Sequence, residues 1–128
     1  MSWTTVCDVE TIGLDEAVLA LVDGEQVAVV RTAGGEVFAV DQRDPYSGAH
    51  VMARGIVGTR GDRPCLVSPM YKQVFDLRTG ACLDTVGGEE RVLPTWPVRV
   101  EAGRVLVGSG RNTGATPTSS PEPSSVGA

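Results

Sequence analysis

Histidine and lysine are almost absent from this sequence, because its 128 residues include only His50 and Lys72 of these two types. A metal centre that takes two imidazoles from one chain is therefore excluded. The charged residues are 11 Lys or Arg against 16 Asp or Glu, and the formal net charge is −5. Nucleic-acid-binding surfaces need clustered Lys and Arg, and this sequence has no such cluster. The composition argues against a nucleic acid as partner.

Long apolar runs and paired cysteines are missing as well. No stretch approaches the roughly 20 apolar residues of a membrane span. The opening residues, MSWTTVCDVE, contain neither the basic region nor the apolar core of a secretory signal. The three cysteines, Cys7, Cys65 and Cys82, form no C-x-x-C pair, and we predict reduced, half-buried strand residues rather than disulfides or metal ligands. We therefore expect a cytoplasmic protein that does not enter a membrane.

Short apolar segments separated by glycine turns make up most of the chain, which predicts an all-β antiparallel sandwich or barrel. Segment 16–22, E-A-V-L-A-L-V, is ambiguous because its Ala and Leu content also suits a helix. It is short and the hairpin signal Asp23-Gly24 follows it, so we predict a strand. The alternation of Val98 and Val100 with charged residues predicts one buried and one solvent-facing side for segment 98–101. The other predicted strands are residues 3–9, 27–31, 36–40, 56–57, 64–67, 74–77, 81–85 and 104–107.

The composition changes at Ser109. Of the last 20 residues, 14 are Ser, Thr, Pro or Gly, and none is aromatic. Such a segment cannot bury enough apolar surface to offset the entropy of ordering it. We predict one domain over residues 1–108 and a disordered tail over residues 109–128.

Two proline-centred loops stand out in the middle of the chain. The first reads D-P-Y-S-G over residues 44–48; the second reads S-P-M-Y over residues 68–71 and leads into V-F-D-L at 74–77. They resemble the C-x-H and C-x-x-H loops of the Rieske family, which hold a [2Fe–2S] cluster with two Cys and two His. On this resemblance the Cys positions fall on Asp44 and Ser68, and the His positions on Tyr46 and Tyr71. All four ligands are replaced by oxygen groups, which suit an iron–sulfur cluster poorly.

The resemblance implies the Rieske fold with a degenerate cluster-binding loop subdomain. A cluster-free Rieske-like domain of this size is similar to the small subunits of assimilatory NAD(P)H-dependent nitrite reductases. That likeness covers residues 3–108 and is most specific at residues 54–56 and 68–77. It implies an accessory subunit with no catalytic residue, cofactor or metal of its own. Its partner would be a large subunit that carries FAD, an iron–sulfur cluster and sirohaem and reduces nitrite to ammonia.

A second interpretation is a free-standing binding or regulatory module that reuses the Rieske scaffold for another reductase or oxygenase. In either case the Rieske scaffold brings the two loops together at one end, and we expect that end to dock on the partner. Aromatic and Arg side chains are enriched at protein interfaces. The candidate docking residues are Tyr46, His50, Arg54, Met70, Tyr71 and Lys72.

The loop tyrosines and aspartates also have purely structural interpretations. Tyr46 and Tyr71 are predicted to fill the space that a cluster would occupy. Loop aspartates commonly accept hydrogen bonds from their own turn backbone. We therefore predict that Asp41, Asp44 and Asp76 do this instead of holding a hard cation.

Overall fold

The computed structural model of the chain describes residues 2–83 and 91–113. Within these ranges the only helical segments are two 3-10 turns, Val9–Thr11 and Met52–Arg54, and the paired strands are antiparallel. The predicted all-β antiparallel fold is therefore confirmed. The strands are β1 (Trp3–Asp8), β2 (Glu16–Val22), β3 (Glu25–Arg31), β4 (Val37–Asp41), β5 (Ile56–Arg60), β6 (Arg63–Val67), β7 (Val74–Asp76), β8 (Thr95–Trp96), β9 (Val98–Glu101) and β10 (Arg104–Gly108).

These strands form three sheets, which we name the outer sheet (β1-β10-β9), the central sheet (β2-β3-β4-β8) and the loop sheet (β5-β6-β7). The central sheet has a hydrophobic core on each face. Ala28 and Val30 of β3 belong to the first core, with Leu66 and Phe75 of the loop sheet. The alternate β3 residues belong to the second core, with Val105 and Val107 of the outer sheet. The run V-A-V-V of β3 is continuous because this strand is buried on both faces.

The ambiguous segment 16–22 is a strand, as predicted. All seven residues of β2 pair with β3, and the connecting turn places Asp23 and Gly24 at positive φ. The hairpin between the predicted strands 56–57 and 64–67 differs in detail, because β5 continues through Arg60 and the chain turns at Gly61-Asp62. The predicted strand 81–85 contributes only an isolated bridge between Cys82 and Phe75, and its part beyond Leu83 lies outside the described residues.

Strand β8 was not predicted from the sequence. Its two residues are too few to show any periodicity, and tertiary contacts define it: Trp96 is buried in the second core and pairs with Ala39 of β4. The predicted alternation in β9 is wrong at Val100, whose side chain is 47% exposed. Because β9 is an edge strand of the outer sheet, only Val98 reaches the second core.

The chain remains paired beyond the predicted domain boundary at residue 108. The Ser109 amide donates to the carbonyl oxygen of Ser2 over 3.0 Å, and Asn112 forms an antiparallel bridge with Thr95. The rest of the predicted tail, residues 114–128, lies outside the described residues.

Two glycines occupy positions that a side chain would disturb. Gly80 has φ of +80°, and a Cβ added there would collide with the carbonyl oxygen of Leu93. Gly55 leads into β5, and a Cβ there would collide with the carbonyl oxygen of Val67. At both positions one segment of backbone passes close to another, and only glycine fits without displacement.

Candidate functional site

The two proline-centred loops meet through the two residues that occupy the Cys positions of the Rieske pattern. The Ser68 hydroxyl donates to Oδ2 of Asp44 over 2.5 Å, and both side chains are fully buried. This contact confirms the expectation that the second loop faces the first. We name residues 42–54 and 68–73 together the tip.

The Asp44 carboxylate also organises its own loop. Its Oδ1 accepts hydrogen bonds from the backbone amides of Tyr46 at 2.8 Å and Ser47 at 3.4 Å. The loop is closed further by the Asp44 amide, which donates to the carbonyl oxygen of Ala49 over 2.8 Å. Burial of a carboxylate is costly unless hydrogen bonds compensate it. Here the carboxylate has three donors, which are the Ser68 hydroxyl and the amides of Tyr46 and Ser47. The predicted turn role of Asp44 is confirmed.

The second loop is closed in a similar way around Ser68. The Ser68 amide donates to the carbonyl oxygen of Gln73 over 2.9 Å, and its hydroxyl accepts from the amide of Met70 over 3.2 Å. Lys72 has φ of +64°, a left-handed conformation that is uncommon for residues other than glycine. Its amide donates to the carbonyl oxygen of Ser68 over 3.1 Å. The second loop therefore contains one residue under backbone strain, Lys72.

The two tyrosines at the His positions have different environments. Tyr46 is half-buried, its ring centroid lies 6.1 Å from that of Phe75, and its hydroxyl accepts a hydrogen bond from the Arg91 amide over 3.0 Å. Tyr46 therefore fills interior space, as predicted. Tyr71 is 59% exposed, so the same prediction is wrong for it. The difference arises because Tyr71 lies on the outer turn of the second loop, beyond the reach of the first core.

Of the other two aspartates, only Asp76 follows the prediction. Its Oδ1 accepts from the amide of Arg78 over 2.8 Å, within its own turn. Asp41 instead accepts from the Trp96 indole nitrogen at 2.8 Å and from the Arg111 guanidinium at 3.4 Å. Burial raises the pKa of Asp41, and the Trp96 hydrogen bond opposes this shift. The turn prediction fails at Asp41 because the residue ends β4, and its carboxylate accepts from Trp96 of the neighbouring strand β8.

The cysteines are not organised as a metal site. All three are free thiols; Cys7 is half-buried on β1, whereas Cys65 and Cys82 are buried. Desolvation raises the pKa of Cys7 and of Cys65, which disfavours the thiolate form that binds metals. Within residues 2–83 and 91–113, no group of three or more His, Cys, Asp or Glu side chains is placed to hold a metal ion.

The ligand positions of the tip do not fit a Rieske cluster. None of the four residues offers a thiolate or an imidazole, which that centre requires. Asp44 and Ser68 are already bonded to each other, Tyr46 is packed on Phe75, and Tyr71 is directed to the solvent side of the second loop.

The candidate docking residues are mostly accessible. His50, Arg54 and Lys72 are exposed, and the exposed fractions of Met70 and Tyr71 are 46% and 59%. Tyr46 is the exception, since it is half-buried. Sequence reasoning did not identify Ile56, which is 66% exposed. It lies at the start of β5.

Comparisons of the sequence with known proteins agree on one family. The family model described as a Rieske-like [2Fe-2S] domain matches residues 2–108. A nitrite reductase (NADH) small subunit from Salmonella typhimurium is 35% identical over 83 residues, which are 64% of this chain and 77% of that protein. A nitrite reductase [NAD(P)H] large subunit from Klebsiella oxytoca is 40% identical over 107 residues. That match covers 84% of this chain but spans only 11% of the Klebsiella protein.

Solved structures lead to the same group of proteins. A crystal structure from Mycobacterium tuberculosis, of a candidate NADH-dependent nitrite reductase small subunit, superposes with a TM-score of 0.75 at 44% sequence identity. The superposition covers 83% of this chain and 93% of the other. No helix in the part of the chain that the structure describes is long and apolar enough to cross a membrane.

Proposed function

Because this chain belongs to the Rieske-like domain family and to its nitrite reductase small subunits, we propose that it is the accessory subunit of an NAD(P)H-dependent nitrite reductase that converts nitrite to ammonia. The chain docks by its tip on a large subunit and carries no cluster of its own. FAD, an iron–sulfur cluster and sirohaem belong to the large subunit in this proposal. The tip then serves as a contact surface and not as a redox centre.

The observation that carries this proposal is the hydrogen bond between Ser68 and Asp44. It joins the two loops through the positions where the Rieske pattern has cluster ligands, so the loops keep one defined arrangement. Exposed Met70 and Tyr71 then project from a fixed base. A preorganised surface loses less conformational entropy when it binds a partner.

The Klebsiella relative supports the choice of partner. In that protein the segment similar to this chain is a small part of a polypeptide named as the large subunit. A domain that occurs within the same polypeptide as another is held at high effective concentration beside it. We infer that the separate chain makes the corresponding contact by association.

The first prediction concerns metal content. The purified chain should contain no stoichiometric iron or acid-labile sulfide, even after anaerobic reconstitution, because residues 44, 46, 68 and 71 offer no thiolate or imidazole. Iron analysis and the visible absorption spectrum measure this. A cluster spectrum at one equivalent per chain would refute the cluster-free proposal.

The second prediction tests the tip as the docking surface. Met70→Asp and Lys72→Gly should each weaken binding to the large subunit and lower nitrite-dependent NAD(P)H oxidation by the co-expressed pair. Interface anchors lose on the order of 2 kcal/mol when truncated. Glycine is chosen at Lys72 because it removes the charge and also accepts the positive φ without strain.

The control for Met70→Asp is Val100→Asp. Both side chains are about half exposed, at 46% and 47%, but Val100 lies on β9 of the outer sheet. This control should bind and support activity like the wild type. If Val100→Asp impairs association and Met70→Asp does not, the docking surface lies on the outer sheet. If the wild-type chain neither binds nor stimulates the large subunit, the alternative of a module for another reductase or oxygenase is favoured.

A further inference from the structure

We propose that the docking surface extends from the tip onto an apolar ledge formed by Leu19, Leu21 and Ile56. The occupant is a patch on the large subunit that is apolar at its centre and has a carboxylate facing Arg54. This inference rests on the proposed function and adds to it the part of the surface that supplies the apolar contact.

Leu19 and Leu21 lie on one face of β2, because alternate residues of a strand point to the same side. Leu19 pairs with Ala28 of β3, so this face is the one that carries the first core. Ala17, on the same face, packs against that core. The loop sheet does not extend far enough to cover Leu19 and Leu21, whose exposed fractions are 54% and 65%.

Ile56 joins this face to the tip. It is the first residue of β5, an edge strand of the loop sheet, and β2 packs against both β5 and the 3-10 turn Met52–Arg54. Ile56 pairs with Val67, the residue directly before Ser68. Its side chain, 66% exposed, is therefore placed at the base of the second loop.

Leu21 lies at the end of the central sheet from which the first loop emerges. It pairs with Gln26, whose carbonyl oxygen accepts a hydrogen bond from the amide of Gln42, the first residue of the tip. The ledge and the tip are consequently neighbours on one side of the molecule. Arg54 is exposed beside Ile56 in sequence and supplies a positive charge at their junction.

The size of a stable interface favours this extension. A specific interface buries roughly 800 Å² on each partner and involves about 20–30 residues, with an apolar centre and a polar rim. The tip alone offers Met70 and Tyr71 as exposed large apolar side chains, and the ledge adds three more. Exposed leucines on an edge strand invite unwanted association unless a partner covers them.

The experiment measures the dissociation constant for a purified large subunit by biolayer interferometry, with the full-length chain immobilised. Leu21→Glu and Ile56→Glu should each raise this constant about tenfold or more, because charge is placed in the centre of the interface. Ile56→Thr, which keeps a β-branched side chain in β5, should raise it less. Val100→Glu, also on an edge strand, is the control and should change it less than about threefold.

Melting temperatures of the isolated variants distinguish loss of contact from loss of fold. Weaker binding with a melting temperature near that of the wild type supports the ledge. Unchanged binding by folded Leu21→Glu and Ile56→Glu, while Met70→Asp still impairs it, overturns the ledge and leaves the proposed function in place. No binding by the wild type overturns both. A wild-type dimer that these two variants convert to monomer, without any effect on the large subunit, would make the ledge a contact between copies of this chain and overturn the inference.

Discussion

Replacement of Gly80 by alanine is expected to lower the free energy of unfolding by about 3 kcal/mol or more, a large share of the roughly 5–15 kcal/mol that stabilises a typical domain. Two costs add at this position. A residue other than glycine at φ of +80° is strained by about 1–3 kcal/mol. The new Cβ also collides with the carbonyl oxygen of Leu93, so the segment that contains Leu93 must move.

That movement would break specific contacts. The Leu93 amide donates to the carbonyl oxygen of Gly80 over 2.9 Å, and the Gly80 amide donates to that of Asp76 over 2.7 Å. Leu93 itself is fully buried in the first core. Displacing it would leave a cavity beneath the loop sheet, which is a recognised source of large destabilisation.

Gly24 provides a matched control. Its φ is +81°, nearly the same as that of Gly80, but no atom lies within 4 Å of an added Cβ. Gly24→Ala should therefore show only the backbone cost of about 1–3 kcal/mol, without the added cost of the collision. Urea denaturation of the two variants measures the difference. Equal losses would mean that the contact with Leu93 does not limit what position 80 accepts.

The second large effect is expected at the bond between the loops. Asp44→Ala should lower the free energy of unfolding by about 3 kcal/mol, since it removes the acceptor for Ser68 and Tyr46 and opens a cavity at a fully buried site. Ser68→Ala should cost about 1–3 kcal/mol, because it leaves Oδ2 of a buried carboxylate without its donor. Denaturation curves of both variants test these values.

The double variant isolates the interaction itself. If the bond couples the loops, the double variant Asp44→Ala/Ser68→Ala should lose less stability than the two single variants together. The difference in the free energy of unfolding should be at least about 1 kcal/mol. Thr79→Ala is the control: its hydroxyl also accepts from an amide two residues ahead, that of Ala81 at 3.1 Å, but the bond is exposed. Its loss should be within about 0.5 kcal/mol. Additive losses for the Asp44 and Ser68 changes would show that the loops do not depend on each other.

The strands were largely predictable from the sequence because they follow local rules. The Asp23-Gly24 turn signal identified the β2–β3 hairpin, whose residues pair in full register. Strand β8 was not predictable, since the burial of Trp96 and its hydrogen bond to Asp41 are set by chain segments far apart in sequence. The burial prediction for Val100 failed for a related reason, because the position of β9 at the edge of its sheet depends on topology.

The candidate site was predictable in its position but not in its internal chemistry. The resemblance of the two loops to the Rieske pattern indicated that they would meet, and the direct bond between Asp44 and Ser68 could not be inferred from either loop alone. The separate environments of Tyr46 and Tyr71 depend on which of them reaches Phe75. The exposure of Ile56 depends on how the loop sheet covers the central sheet, and no sequence pattern encodes that offset.

The hydroxyl-to-carboxylate bond at the tip also has a consequence for the maturation of the protein. Both partners are present in the polypeptide as it is synthesised, so this contact needs nothing beyond the folding of the chain itself. It requires no scaffold protein for cluster delivery and no supply of iron. Oxygen does not break it, in contrast to the metal–sulfur bonds of a cluster. If the tip docks on a large subunit as proposed, its contact surface is complete as soon as the chain has folded, even in a cell short of iron.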